Sequence, residues 1–466
     1  MHHSLLKPLK FVLRWGIAVG GIWWVVANMT IADHMLVLAG DNRPVLMQVL
    51  AVKVGPEAVY TVLDPLKKVP RDVARTQTVS RPDRKQVTVS DGGKTWEVEL
   101  LGADFAHEDE QGRTPELRRL LVADSPTLPG RWISPSEVVG GYYLKVPNPR
   151  VETGIANMVR RANPWLLALS VSVFPITILV TSLRWKKLME AVDINISFSK
   201  AFALNMVGLF YNTFIPAGST GGDVLKAYYA SRHTPHKVRA VMTVVVDRLI
   251  GLVVLIILGG IMALGFYLRA DKTDPAARAC LQVALASGVI LLGLTVGLVV
   301  FANPRLRRAT GLDFVLGRLP MQTQIVHAME TMAIYRKRPG LVLWAMMITV
   351  PVHLTVMVAA MIAGKAFGLP LSTGYYFVVV PVTVLVGAIP ISPQGAGVME
   401  YFAIKLTARQ GATVAQAFAL TMSIRLQQIF WNLVGGIFVA TGHYRSQHKS
   451  EKDVEAELPS ASSPSR

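Results

Sequence analysis

The sequence predicts an α-helical polytopic membrane protein. It reads as an inverted-repeat bundle of about six spanning helices plus two re-entrant hairpins, with a small β-rich or α+β extracytoplasmic domain inserted after the first helix. Three observations lead there. The 466 residues are 52% hydrophobic and only 17% charged, where a soluble chain has about 25% charge, and the mean hydropathy is +0.40. Several apolar stretches reach the ~20 residues needed to cross a bilayer. Two further apolar stretches are interrupted by proline and glycine, at positions separated by one fixed distance.

Residues 1–29 form the first element. Lys7 and Lys10 precede an apolar stretch at 9–29, and Trp23 and Trp24 suit a membrane interface. This reads as a signal-anchor helix; the small-residue motifs VVA and TIA leave a cleaved signal peptide as the alternative.

Residues 30–162 interrupt the membrane pattern with a polar block of over 100 residues, too long for a plain connection. QVTVSDGGKTWEVEL (86–100) is a hairpin candidate, two alternating runs joined through Asp-Gly. VLMQVLAVKV and GYYLKV read as further strands. The His107–Glu110 stretch reads as a solvated charge run, and the block shows no nucleophile–base pair or metal-ligand set.

Residues 163–442 form the membrane domain, in halves at about 163–302 and 340–442. PWLLALSVSVFPITILVTSL (164–183) ends in Arg184, Lys186 and Lys187. An apolar run at 198–215 ends in FIPAGSTGGD, followed by a basic connection with Lys226, Arg232, Lys237 and Arg239. Long apolar helices follow at 238–268, 281–302 and 341–364, with a basic connection at 305–338. A second broken run lies at 373–406 and a last helix at 414–441. The tail at 443–466, charged and rich in Ser and Pro, has a disordered composition. The single cysteine, Cys280, excludes an internal disulfide and a Cys-based metal site.

The net charge of +18 does not indicate nucleic acid, because Lys and Arg flank the apolar segments rather than massing on one domain. Placing every strongly basic short loop in the cytoplasm puts both termini inside and residues 30–162 outside. It also requires each broken run to enter and leave on one side, the first from the cytoplasm and the second from outside.

The two breaks superpose. Pro216, Gly218, Asp223, Arg248 and Gly259 each find a counterpart 177 positions later: Pro393, Gly395, Glu400, Arg425 and Gly436. Two of these are intramembrane charges of matching sign. Oppositely entering repeats are a transporter arrangement, with the site near the midplane at the repeat interface. Proline removes a helix hydrogen bond and glycine permits close backbone approach. A restarting helix offers free N–H groups to an anion. A membrane-embedded arginine costs about 2.5–3.5 kcal/mol on insertion scales, so it is paired or functional by default. The plainer reading is that Asp223 and Glu400 only neutralise Arg248 and Arg425 in structural salt bridges, with Asp247 a local partner of Arg248. Asn432 and the pair Gln427/Gln428 read as helix-packing residues.

NTFIPAGSTGGDVLKAYYASR, VRAVMTVVVDRLIGL and PISPQGAGVMEYF resemble the lysylphosphatidylglycerol synthase transmembrane region, also called the flippase-like domain family, over about 164–441. The resemblance implies a polytopic protein whose relatives move aminoacylated phospholipid between leaflets, or are associated with polyprenyl-linked glycans or hopanoids. Its motif positions fall on Asn212, Pro216, Gly222, Asp223, Asp247, Arg248, Pro393, Gly395, Gly397 and Glu400. The aminoacyltransferase domain of fused synthases has no counterpart here, so lipid lysylation by this chain alone is not expected. Residues 30–162 also lie outside the family pattern.

The expected function is a lipid translocase in the inner (cytoplasmic) membrane, moving a phospholipid or polyprenyl/isoprenoid-linked amphiphile through a cavity between the repeats. Expected partners are membrane lipids with anionic or zwitterionic heads, and an envelope protein through residues 30–162. No catalytic residue, cofactor or metal is assigned. The alternatives are a membrane glycosyl- or phospho-transferase, with Asp33 and Asp41 as the carboxylates near the membrane, or a non-catalytic envelope scaffold.

Overall fold

The computed structural model describes residues 16–442, apart from 17–18, 24, 28–30, 54–57, 66–67, 81–85, 92–93, 107–115, 140–149, 215–220, 233, 271–274, 318–321, 389–391 and 393–394. By contacts the chain falls into two compact units. One comprises Met1–Phe174, Val253–Leu294 and His353–Gln428; the other comprises Pro175–Leu252, Thr295–Val352 and Ile429–Arg466.

Residues 30–162 are β-rich, as expected. Strands β1 (His34–Leu38), β2 (Pro44–Lys53), β3 (Val59–Leu63), β4 (Pro70–Ala74), β5 (Thr78–Val79) and β11 (Val151–Glu152) form one sheet in the order β11-β1-β2-β3-β4, with β5 on β1. A second sheet, ordered β10-β6-β7-β8-β9, contains β6 (Gln86–Asp91), β7 (Lys94–Ala106), β8 (Glu116–Ala123), β9 (Arg131–Ile133) and β10 (Val138–Val139). The predicted hairpin is β6–β7, in antiparallel register from Gln86↔Glu99 to Asp91↔Lys94. Alternation explains the burial: Val87, Val89, Val98 and Leu100 face one core, while Met35, Val37, Met47, Tyr60 and Val62 fill the other. The buried Arg150 guanidinium stitches the sheets, donating to the Thr78 carbonyl at 3.0 Å and to Asp104 at 3.0 Å. The predicted strand GYYLKV and the 107–110 charge run lie outside the described residues.

Among the described residues four helices are long and apolar enough to cross a membrane: Pro164–Glu190, Lys237–Arg269, Ala276–Phe301 and Pro339–Ala366, of 27, 33, 26 and 28 residues. Ala276–Phe301 starts buried at Ala276, Ala277 and Cys280 but leaves Leu285, Val289, Leu292 and Val296 uncovered further on. Apolar side chains uncovered along a helix of this length have hydrocarbon as their natural solvent. Two expected spans are not in this set. Most of 9–29 lies outside the described residues. The last helix is Val414–Val434, followed after Gly435 by Gly436–Thr441. There Gly435 packs directly on the Met206 carbonyl, where a Cβ would come within 2.3 Å.

Two stretches carry detail that the sequence did not specify. The span Pro164–Glu190 contains one turn, between Pro164–Ser172 and Pro175–Glu190, because a proline cannot supply the N–H of a continuing helical turn. The basic connection at 305–338 is itself helical over Pro304–Ala309, Leu312–Gly317 and Gln322–Arg336.

Candidate functional site

Each broken run is a pair of helices packed on each other. The first pair is Phe198–Phe214 with Gly221–Ser231; the second is Thr373–Ala388 with Val398–Thr407. The restarting helices begin at Gly221 and Val398, and the helices after them at Lys237 and Val414. Both spacings equal the 177-residue offset seen in the sequence, so the helix boundaries repeat along with the motif.

Glycine is required where the arms meet. A Cβ on Gly222 would sit 1.7 Å from the Gly208 carbonyl oxygen, and one on Gly395 would sit 2.5 Å from the Gly387 Cα. Gly395 and Gly397 also have φ of +70° and +82°, the left-handed region that glycine adopts without strain. Pro216, Gly218 and Pro393 lie outside the described residues.

The helix starts are capped differently. In the first half, Asn212 on the opposite arm accepts the Gly222 N–H at 2.7 Å. In the second, Glu400 reaches back to accept the Gly397 N–H at 2.7 Å. Both devices satisfy a donor that a helix start leaves open.

The two carboxylates meet the two arginines that the +32 spacing picked out. Asp223 Oδ2 lies 2.5 Å from Arg248 Nε, and Glu400 Oε1 lies 2.8 Å from Arg425 Nη1. Their surroundings differ. Arg248 and Asp223 side chains are 48% and 16% exposed, whereas Arg425 and Glu400 are 10% and 0% exposed. One pair is open to approach and the other is enclosed. In both pairs the contacting carboxylate oxygen, Asp223 Oδ2 or Glu400 Oε1, is itself buried and off the hydrogen-bonding line, and among the described residues Arg425 Nε has no hydrogen-bond partner.

Asp247 belongs elsewhere. Adjacent residues on a helix point about 100° apart, and Asp247 turns away from the Asp223–Arg248 pair into a buried cluster. Arg184 donates to Asp247 Oδ1 at 2.8 Å, to the Asp247 carbonyl at 3.2 Å, and to Thr349 Oγ1 at 2.6 Å. Lys226 donates to Asn205 Oδ1 at 3.0 Å and lies 3.9 Å from both Asp247 Oδ2 and the Trp185 ring centroid. Asp247 thus takes its hydrogen bonds from Arg184, while Arg248, its neighbour in sequence, still acts on it through charge; Arg184 and Lys226, counted among the exposed basic flanks, are both buried. One signal pointed to Lys226, since Gly222, Lys226 and Ala230 repeat every four residues and so share the small-residue packing face of their helix.

On the last helix the packing reading holds for Asn432 and Gln427 but not for Gln428, which is exposed. Asn432 donates to Thr213 Oγ1 at 3.2 Å, and Gln427 bonds to the buried Ser170 hydroxyl. The transferase carboxylates are engaged in backbone structure: Asp33 accepts the Gly154 N–H and Asp41 accepts the Arg43 N–H. Among the described residues no group of three His, Cys, Asp or Glu could hold a metal ion.

Comparison with known proteins gives the chain's relatives. A UPF0104 membrane protein of Methanothermobacter thermautotrophicus is 25% identical over 315 residues, covering 64% of this chain and 90% of its own length. One from Methanocaldococcus jannaschii is 24% identical, covering 58% of this chain and 83% of its own. One from Pyrococcus horikoshii matches a shorter stretch of 104 residues at 26%. The model of the lysylphosphatidylglycerol synthase TM region matches residues 153–436, a stretch that contains both helix pairs and both arginines. The chain therefore belongs to the lysylphosphatidylglycerol synthase TM-region family.

Proposed function

We propose that this protein is a lipid translocase. In this reading it moves a phospholipid or a polyprenyl- or isoprenoid-linked amphiphile between leaflets, with the anionic or zwitterionic head group meeting the Asp223–Arg248 and Glu400–Arg425 pairs. One observation supports it above the others: the same broken helix pair and ion pair occur twice at one offset, one pair open and the other enclosed. A carrier that exposes its site alternately to two sides needs two like gates in unlike states. Guanidinium groups suit a lipid phosphate because they present a planar fork of donors, and Arg425 retains a donor that no described residue uses.

The reading places both termini in the cytoplasm and residues 30–162 outside, and takes the two helix pairs as oppositely entering re-entrant hairpins. A transferase is disfavoured because Asp33 and Asp41 serve backbone structure.

The deciding experiment reconstitutes the full chain in vesicles with a head-group-labelled phospholipid and follows exposure of the label to a membrane-impermeant quencher. Parent protein is expected to equilibrate the leaflets, and Arg248→Ala and Arg425→Ala to slow this at least tenfold, with Arg248→Lys intermediate. If parent and both alanine variants match protein-free vesicles, the translocase reading fails.

A further inference from the structure

The helical turns within 16–27 precede the residues matched by the family model, yet they pack on the second half. A Cβ on Gly21 would lie 2.5 Å from the Gly397 Cα and 3.1 Å from its carbonyl carbon. The two backbones thus touch with no side chain between them. One turn further on, Val25 is wholly buried against Ile404 and Ala417, with Val414 and Phe418 beside it. Gly397 is the residue whose N–H Glu400 holds, and Ile404 lies one turn beyond Glu400 on the same helix face.

The β-rich segment returns to the same place. Met158, just after its last strand, is buried with Ala415 and Ala419. Entry and exit of the segment are tied together: the Gly154 N–H donates to Asp33 Oδ1 at 2.9 Å and the Ala156 N–H to the Ile31 carbonyl at 3.3 Å. A Cβ on Gly154 would strike the Ala32 carbonyl at 2.4 Å. Both stalks therefore grip the first two turns of Val414–Val434, the helix that carries Arg425.

We propose that Gly21 and Val25 are positioning residues for the Glu400–Arg425 pair. The first helix is a retained part of the fold that seats on the Gly397 cap and keeps that pair enclosed, and it links the β-rich segment mechanically to the second break. The contact is all backbone at Gly21, so any side chain there must lift the helix away. Lifting it uncovers the start of Val398–Thr407 while leaving the first helix pair untouched. This holds whatever the pair binds, because it rests on packing and not on the translocase reading.

The test uses the full chain with Cys280→Ala and one introduced thiol, either Val398→Cys beside the cap or the exposed Val224→Cys in the first half as control. A membrane-impermeant maleimide is applied with and without Gly21→Leu. At least a tenfold faster reaction at 398, with the rate at 224 unchanged, is expected. An unchanged rate at 398, or equal acceleration at both positions, overturns the proposal. Should Gly21→Leu fail to fold, Val25→Ala decides: it removes cover without adding bulk, and a several-fold rise confined to 398 is expected. The intact mass of the purified protein must also include the first helix; cleavage after Ala27 or Ala32 would overturn its retention.

Discussion

Substituting Arg425 by alanine leaves the Glu400 carboxylate, which has no exposed surface, holding the Gly397 N–H but without its guanidinium. Breaking a buried ion pair from one side costs about 3–5 kcal/mol, because an uncompensated charge remains. Substituting Arg248 removes a partner that is 48% exposed, and pairs of that kind contribute about 0.2–1 kcal/mol. Arg425→Ala should therefore destabilise the protein by several times as much as Arg248→Ala, although the two residues hold equivalent places in the repeat. Thermal unfolding in lipid nanodiscs reads the difference. A double-mutant cycle sharpens it: Glu400→Gln combined with Arg425→Met removes both charges and should recover most of the loss, which requires a coupling of at least about 2 kcal/mol, at or above the top of the usual range for contacting residues. Equal destabilisation by the two alanine substitutions, or an additive cycle, would refute the reasoning.

Other outcomes follow from the geometry. Gly222→Ala would drive a Cβ to 1.7 Å from the Gly208 carbonyl oxygen, a backbone atom that cannot yield. Folded yield by size-exclusion chromatography should collapse, while Gly265→Ala, which meets nothing within 4 Å, should match the parent. Arg184→Lys should not rescue Arg184→Ala, because one ammonium cannot reproduce three directed bonds to Asp247 and Thr349; a melting temperature restored by lysine would contradict this. In the β-rich segment, the hydrogen bond from Arg131 holds the Asp124 carboxyl below its usual range. A lowered folded value means stability present above the unfolded pKa of ~3.9 and lost as pH falls through the folded value. Both side chains are over 40% exposed, so the effect is about 0.2–1 kcal/mol. Asp124→Asn should remove that part of the acid dependence between pH 5 and 3, and an unaltered profile would show that the pair contributes nothing.

Much of this was legible in the sequence, for identifiable reasons. Arg248 and Arg425 stand out because charge inside an apolar run is rare, and a common spacing of 32 from Pro216 and Pro393 ties each to a break. The carboxylates at +7 completed the pairs before any distance was known. The buried cluster was hidden by the same logic that gave the topology: Lys and Arg next to apolar segments read as loop charge, so Arg184 and Lys226 were assigned to solvent. Their burial depends on Asn205, Asp247 and Thr349, which come from distant parts of the chain; the four-residue spacing of Gly222, Lys226 and Ala230 marks a packing face but not the partners it meets. The contact of Gly21 with Gly397 was equally invisible, since a glycine needed for close approach is indistinguishable in sequence from one merely tolerated.

The repeat duplicates geometry but not charge, and that difference bears on how the two breaks can work. At the common offset, Arg184, Lys226 and Asp247 correspond to Met361, Ala403 and Ile424. Counted as ionised, the first half gathers Arg184, Lys226 and Arg248 against Asp223 and Asp247, while the second sets Arg425 against Glu400. The first break thus carries one cation more than its carboxylates balance, and the second carries none. At an effective dielectric of about 20, one unit charge roughly 6 Å from an anion is worth about 3 kcal/mol, or some hundredfold in occupancy. An anionic head group would accordingly be held more tightly at the first break, whose ion pair is also the accessible one. On the translocase reading proposed above, this inequality of charge would favour loading at the first break.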